Sequence, residues 1–179
     1  MTTVAPVSET FTITEEILVR ATLDKTFASL IAQMGRLNET PDGKPLPMML
    51  EPRPGGRWYR DLGGDNGHLW GFVQSIKRPG LLEIWGPLFM SSAATSNLLY
   101  RLTETQDGTR ISFTHTLVGP IPEAQRPLLA SGWAALHARR YMHEYGVTNE
   151  DFGRISVVDR KHAATNPAAW FYQKPITLA

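Results

Sequence analysis

The stretch RISFTHTLVGPIPEAQRPLLASGWAALH, residues 110–137, decides the fold. In its first third, Ile111, Phe113, His115 and Leu117 alternate with Ser112, Thr114 and Thr116, the period of a strand with one buried face. Pro120 and Pro122 end that strand, because proline cannot donate to a sheet ladder. From Glu123 the period lengthens to that of a helix, with Leu129, Trp133 and Leu136 on one stripe. Pro127 falls near the first turn, where a missing N–H costs little. The helix is expected to reach Tyr145, with Gly146 as its stop. A last strand thus hands over to a long helix that carries its own apolar stripe.

Upstream of this junction the pattern is mostly that of strands. Phe11 to Ala21 places Phe11, Ile13, Ile17, Val19 and Ala21 on one face and Thr12, Thr14, Glu16 and Arg20 on the other. Phe27, Leu30, Ile31 and Met34 predict a short amphipathic helix, with Thr22 or Asp24 as its cap. Strands are then expected over 48–51, 57–62, 68–77, 81–85, 97–104 and 110–118. The turns between them carry Asp65-Asn66-Gly67, Pro79-Gly80 and Asp107-Gly108. Strands at this spacing suggest one antiparallel meander. Strands and helices segregated along the chain mean an α+β fold. A twisted meander cannot bury its concave face alone, and the final long helix is the element long enough to cover it.

Composition narrows the function classes. The chain has 179 residues, 42% hydrophobic and 20% charged, an ordinary globular balance. A net charge of +1 gives no field for nucleic acid or an anionic membrane. The absence of cysteine excludes disulfides, thiolate metal sites and cysteine nucleophiles. Residues 1–10 read as a flexible tail without the apolar core of a signal peptide, and no apolar run reaches the roughly 18 residues of a membrane helix. A cytoplasmic protein is expected. No phosphate loop, dinucleotide fingerprint, hydrolase elbow or zinc-protease motif occurs.

The run Glu51-Pro52-Arg53-Pro54-Gly55-Gly56-Arg57-Trp58 resembles the Pro/Gly-Gly turn of a START-like (SRPBCC) subfamily, the one named after the activator of the heat-shock ATPase. Gly71-Phe72-Val73, Pro79, Leu81 to Trp85, Gly108 to Ile111, Thr114-His115 and Gly132-Trp133 continue that resemblance, which covers about residues 11–138. It implies a helix-grip, START/Bet v 1-like fold: a curved antiparallel sheet wrapped on a long C-terminal helix, with an internal cavity. It does not imply one reaction, since such folds host carriers, cyclases and co-chaperone domains. Residues 139–179 are different. Ala138 to Thr148 and Asp159 to Pro167 resemble part of the lipid-transfer (sterol-carrier) type of thiolase. A thiolase needs a nucleophilic cysteine, so that activity is not expected. The reading is a helix-grip domain over 11–138 joined, inside the long helix near Leu136 to Arg140, to a thiolase-like helical extension over 139–179. The extension is expected to hold a second helix from about Asn149 to Ala164 and an irregular end.

On a helix-grip fold, Trp58, Trp70, Trp85, Met90, Tyr100, Phe113 and Trp133 are candidates to line the cavity and bind an apolar ligand by area burial. They equally suit a filled core, since each buried large side chain contributes about 1.5–3 kcal/mol without any ligand. His115 lies on the apolar face of its strand and can orient a ligand or move a proton, but a hydrogen-bonded core histidine is the favoured reading. Arg60 shares a face with Trp58 and can meet a ligand carboxylate, though a solvated strand face is favoured. Glu83 shares a face with Leu81 and Trp85 and is read as exposed rather than as a base. His137 and His143 are six residues apart on one helix, on different faces, so no metal site is expected.

The expected function is non-enzymatic binding of a small apolar ligand, a lipid or an aromatic metabolite, with no cofactor, no metal and no catalytic residue assigned. One alternative is a protein-interaction module, with a chaperone ATPase as the partner the resemblance implies. Another is a cyclase- or hydrolase-like enzyme using polar residues of the cavity. Phe152, Ile155, Val158, Trp170 and Phe171 give the extension an apolar set that a homodimer would cover.

Overall fold

The computed structural model describes residues 10–40, 42–88, 93–121 and 126–145. The chain divides into two compact units, residues 1–137 and 138–179. Of the second, the helical backbone of residues 138–145 alone is described. Met90, the second helix expected from Asn149 and the apolar residues beyond it lie outside the described residues.

Among the described residues, seven strands and two helices follow in the order β1 (Thr10–Val19), α1 (Leu23–Met34), β2 (Met49–Leu50), β3 (Arg57–Gly63), β4 (Asn66–Lys77), β5 (Leu81–Gly86), β6 (Thr95–Thr105), β7 (Gly108–Val118) and α2 (Arg126–Tyr145). They form one antiparallel sheet in the order β1-β7-β6-β5-β4-β3-β2. The meander therefore holds for β2 to β7 only. β1 pairs with β7 at the far edge, because α1 separates it from β2.

The register lines up inward-facing side chains in rows. Ile13, His115, Leu98, Ile84 and Val73 are successive cross-strand partners from β1 to β4, and all are buried. One step along, Glu15, Phe113, Tyr100 and Leu82 make the next row. The rows are apolar except for His115, Glu15 and the Tyr100 hydroxyl, and a polar group in such surroundings must find a partner.

Two details depart from the sequence reading. The β3–β4 turn is Gly64-Asp65, between the paired Gly63 and Asn66, with φ of +57° and +60° at its central residues. This is the doubly left-handed geometry of a tight hairpin, and Asn66 and Gly67 belong to the strand that follows. In β4, Gly71 pairs with Trp58 but Leu69 pairs with Tyr59, so Trp70 is an extra residue in a bulge. The bulge brings its ring edge-on against Trp58, with centroids 5.0 Å apart.

α1 closes one part of the concave face. Phe27, Leu30 and Met34 are buried along its stripe. Its last carbonyl, of Met34, accepts a hydrogen bond from the Trp58 indole at 2.7 Å. That bond satisfies a helix-end acceptor that would otherwise be orphaned in the core.

Candidate functional site

α2 supplies the other part of the inner surface. Among its described side chains, Leu129, Trp133 and His137 are buried, at i, i+4 and i+8, while Leu136 is half-buried. The stripe thus runs through His137 rather than Leu136. Trp133 and His137 stack with centroids 5.7 Å apart and planes 24° from parallel. Below them lies Phe113, 4.8 Å from each ring, and Tyr100 is 4.7 Å beyond Phe113.

Two hydrogen-bonded chains run through these rings. In the first, the Trp133 indole donates to Nδ1 of His115 at 2.9 Å, and Nε2 of His115 is 3.0 Å from the Ser96 hydroxyl. An indole only donates, so Nδ1 must carry the lone pair and Nε2 the proton. His115 is a neutral imidazole, and burial pushes it down to about 4. In the second chain, Glu15 Oε2 lies 2.5 Å from Nδ1 of His137, and Nε2 of His137 lies 3.3 Å from the Tyr100 hydroxyl. The carboxylate accepts from Nδ1, which leaves Nε2 to accept the phenol proton in the neutral imidazole. Burial falls along this chain: Tyr100 is 1% exposed, the His137 side chain 6% and the Glu15 side chain 20%.

Tyr100, Phe113, His115 and Trp133 are thus brought together in one cluster. Trp58 and Trp70 are inward but belong to the α1 side, where Trp58 ties down a helix end. Trp85 is a correction. It lies on the outer face beside Phe72, 46% exposed, because its neighbours Ile84 and Leu82 take the inner face of β5. Glu83 shares that outer face and accepts a hydrogen bond from Asn97 at 2.9 Å. Arg60 is half-buried opposite the exposed His68 near the end of the β3–β4 hairpin. It stands three strands from Tyr100 in the sheet order, outside the cluster. Among the described residues no group of acidic or histidine side chains is arranged to hold a metal ion. No helix among them is long and apolar enough to cross a membrane.

Sequence reasoning missed Glu15 and His137. Glu15 has the parity of Ile13 and Ile17, and His137 follows Trp133 by four residues, so both signals were present.

The solved structures similar to this chain share its architecture at low identity. An uncharacterized protein from Rhizobium leguminosarum has a TM-score of 0.60 and 17% identity, over 75% of this chain and 94% of that one. CalU16 from Micromonospora echinospora has a TM-score of 0.54 and 21% identity, over 83% of this chain and 82% of that one. Ara h 8.0201 has a TM-score of 0.55 and 11% identity, over 75% and 97%.

The chain has a Bet v 1-like helix-grip fold.

No family model matches the chain. Its curated relatives are of another kind. It is 80% identical over 46 residues to a steroid side-chain-cleaving aldolase from Thermomonospora curvata, over 26% of this chain. It is 48% identical over 82 residues to a 17-hydroxy-3-oxo-4-pregnene-20-carboxyl-CoA lyase from Mycobacterium tuberculosis, over 44% of this chain. The chain spans only 12% and 19% of the length of these two relatives.

Proposed function

We propose that the helix-grip domain holds a small apolar ligand between its concave sheet and α2, with one polar group of the ligand meeting the Glu15–His137–Tyr100 chain at Tyr100. The observation that carries this reading is the cluster itself. Aromatic rings from β6, β7 and α2 form an apolar wall, and the polar atoms in it are oriented by buried hydrogen bonds rather than by solvent. Binding sites are mostly apolar with a few placed polar groups. The ligand class we propose is a steroid-type ring system bearing a carbonyl. The names of the two curated relatives describe steroid substrates, and a domain joined to a segment like theirs gains by holding the same class of molecule.

Native mass spectrometry of the purified protein, with denaturing extraction, tests the reading. A titration of tryptophan fluorescence with a 3-oxo-4-ene steroid accompanies it. A stoichiometric apolar molecule, or saturable quenching, is the expected result. An empty protein whose fluorescence does not respond would remove the binding reading and leave the rings as plain core.

An acid–base enzyme of cyclase-like kind is a second reading, favoured by the Glu15–His137–Tyr100 chain, since a carboxylate, an imidazole and a phenol in series suit proton transfer. An interaction module for a chaperone ATPase draws on the outer face, where Met49, Leu69 and Trp85 are exposed. Capture of such an ATPase that Trp85→Ala abolishes would support it, and unchanged capture by that variant would count against this face.

A further inference from the structure

We infer that Glu15, His137 and Tyr100 form a proton relay from the protein surface to the interior, and that it enolises an apolar ketone held against Tyr100. The inference rests on the ligand-binding reading and adds a reaction to it.

The order of the three groups carries the argument. Tyr100 lies deepest, in the row between Leu82 and Phe113. His137 bridges from α2, with one ring nitrogen toward the phenol and the other toward the carboxylate. Glu15 is the member with contact to solvent. A carboxylate on the inner face of a strand is costly to keep without a hydrogen-bond donor, and His137 supplies that donor at Nδ1 while turning its second nitrogen toward the phenol. The carboxylate holds the imidazole in the tautomer that can take a proton at Nε2, which is the atom facing the phenol. The distance of 3.3 Å between phenol and imidazole is long for a resting hydrogen bond, and such bonds shorten in the ligand-bound state.

The step balances with water as the only co-reactant. The C–H bond next to the ketone carbonyl breaks, and its proton passes to the Tyr100 oxygen as the phenol proton passes to Nε2 of His137. The C–H electron pair becomes the new C=C bond, and the carbonyl π pair moves onto oxygen as the enolate. The imidazolium faces Glu15, whose contact with solvent lets the relay exchange its proton with water. Return of a proton by the same path reforms the C–H bond and the ketone. In heavy water the net change is deuterium for hydrogen at that carbon. Tyr100 is the catalytic residue here; His137 and Glu15 carry and position the proton.

The experiment follows α-deuteration of 2-decalone, a rigid apolar bicyclic ketone, by proton NMR in heavy water, at ketone concentrations that saturate tryptophan quenching. The native chain is expected to exchange at least about tenfold faster than buffer alone. Tyr100→Phe, which keeps the ring packing, is expected to fall to the buffer rate. Glu15→Gln should lower the saturated rate by about tenfold or more, and Glu15→Asp should restore part of it, a rescue that a merely structural carboxylate would not show. Trp85→Ala, on the outer face, should exchange like the native chain. Saturable binding without exchange overturns the relay and leaves the binding reading standing. Exchange that survives in Tyr100→Phe also overturns the relay. A native chain that neither binds nor exchanges overturns both.

Discussion

The indole N–H of Trp133, on α2, donates to Nδ1 of His115, on β7, at 2.9 Å. This bond joins the covering helix to the middle of the sheet. It also dictates which nitrogen of the imidazole carries its proton. The other nitrogen is 3.0 Å from the Ser96 hydroxyl, so both edges of the buried ring are engaged.

Removing the donor alone should be costly. Trp133→Phe keeps most of the ring contact with Phe113 but leaves Nδ1 of His115 without its indole partner. A loss of about 1–3 kcal/mol in urea unfolding is expected, the penalty of an unsatisfied buried acceptor. A change under about 0.5 kcal/mol would mean that water or another donor replaces the indole.

Acid should loosen the same contact. The unfolded chain binds a proton at His115 near pH 6.5, and the folded chain only at about 4. Between these values the unfolded state holds the extra proton. Stability therefore falls as the pH drops from about 6.5 to about 4, and this contribution is constant below that. The full loss is roughly 3 kcal/mol for the shift involved. Urea unfolding across this range measures it, and His115→Gln should remove most of the slope. A slope that survives unchanged in the variant would assign it to other groups.

The tryptophans of β3 and β5 should behave oppositely. Trp58 is 2% exposed and holds the last carbonyl of α1, whereas Trp85 is 46% exposed. Trp58→Phe is expected to cost about 1–3 kcal/mol through loss of a buried hydrogen bond. Trp85→Ala should stay within about 1 kcal/mol, as for other surface changes. Equal costs in thermal or urea unfolding would contradict the assignment of faces.

Gly71 should tolerate no side chain. A Cβ there would stand 2.6 Å from the Trp85 carbonyl oxygen and 3.0 Å from a side-chain carbon of Ile84. Gly71→Ala must push β5 away from β4, at about 1–3 kcal/mol. Amide hydrogen exchange localises the effect, with faster exchange expected in Phe72, Val73 and Ile84. Unchanged protection there would show that the strands can shift without losing their pairing.

Much of the fold was legible because it depends on local period. The alternation of Ile111, Phe113 and Leu117 and the helical stripe of Leu129 and Trp133 each need only one element to be read. The strand spans are close for the same reason: the pattern predicts β5 over 81–85, and the strand is Leu81–Gly86. Turns were less legible. Asp65-Asn66-Gly67 and Gly64-Asp65 are both acceptable hairpin centres by residue type, and only the pairing of Gly63 with Asn66 chooses between them.

What the sequence by itself determined, then, is which residues share a face. It could not say which face is inside. Leu81, Glu83 and Trp85 alternate with Leu82 and Ile84, and both sets contain large apolar residues. The choice is made by what the sheet meets: Leu82 and Ile84 continue the inner rows of Tyr100 and Leu98, so Trp85 is left on the outer face. The relay was hidden for a further reason. Glu15 stands on an inner face where a carboxylate is unfavourable until it has a partner, and that partner, His137, is 122 residues away in the chain. Period and composition are properties of neighbours in sequence. A half-buried acid is stabilised by a neighbour in space, and only the tertiary structure brings α2 across β1 and β6 to supply it.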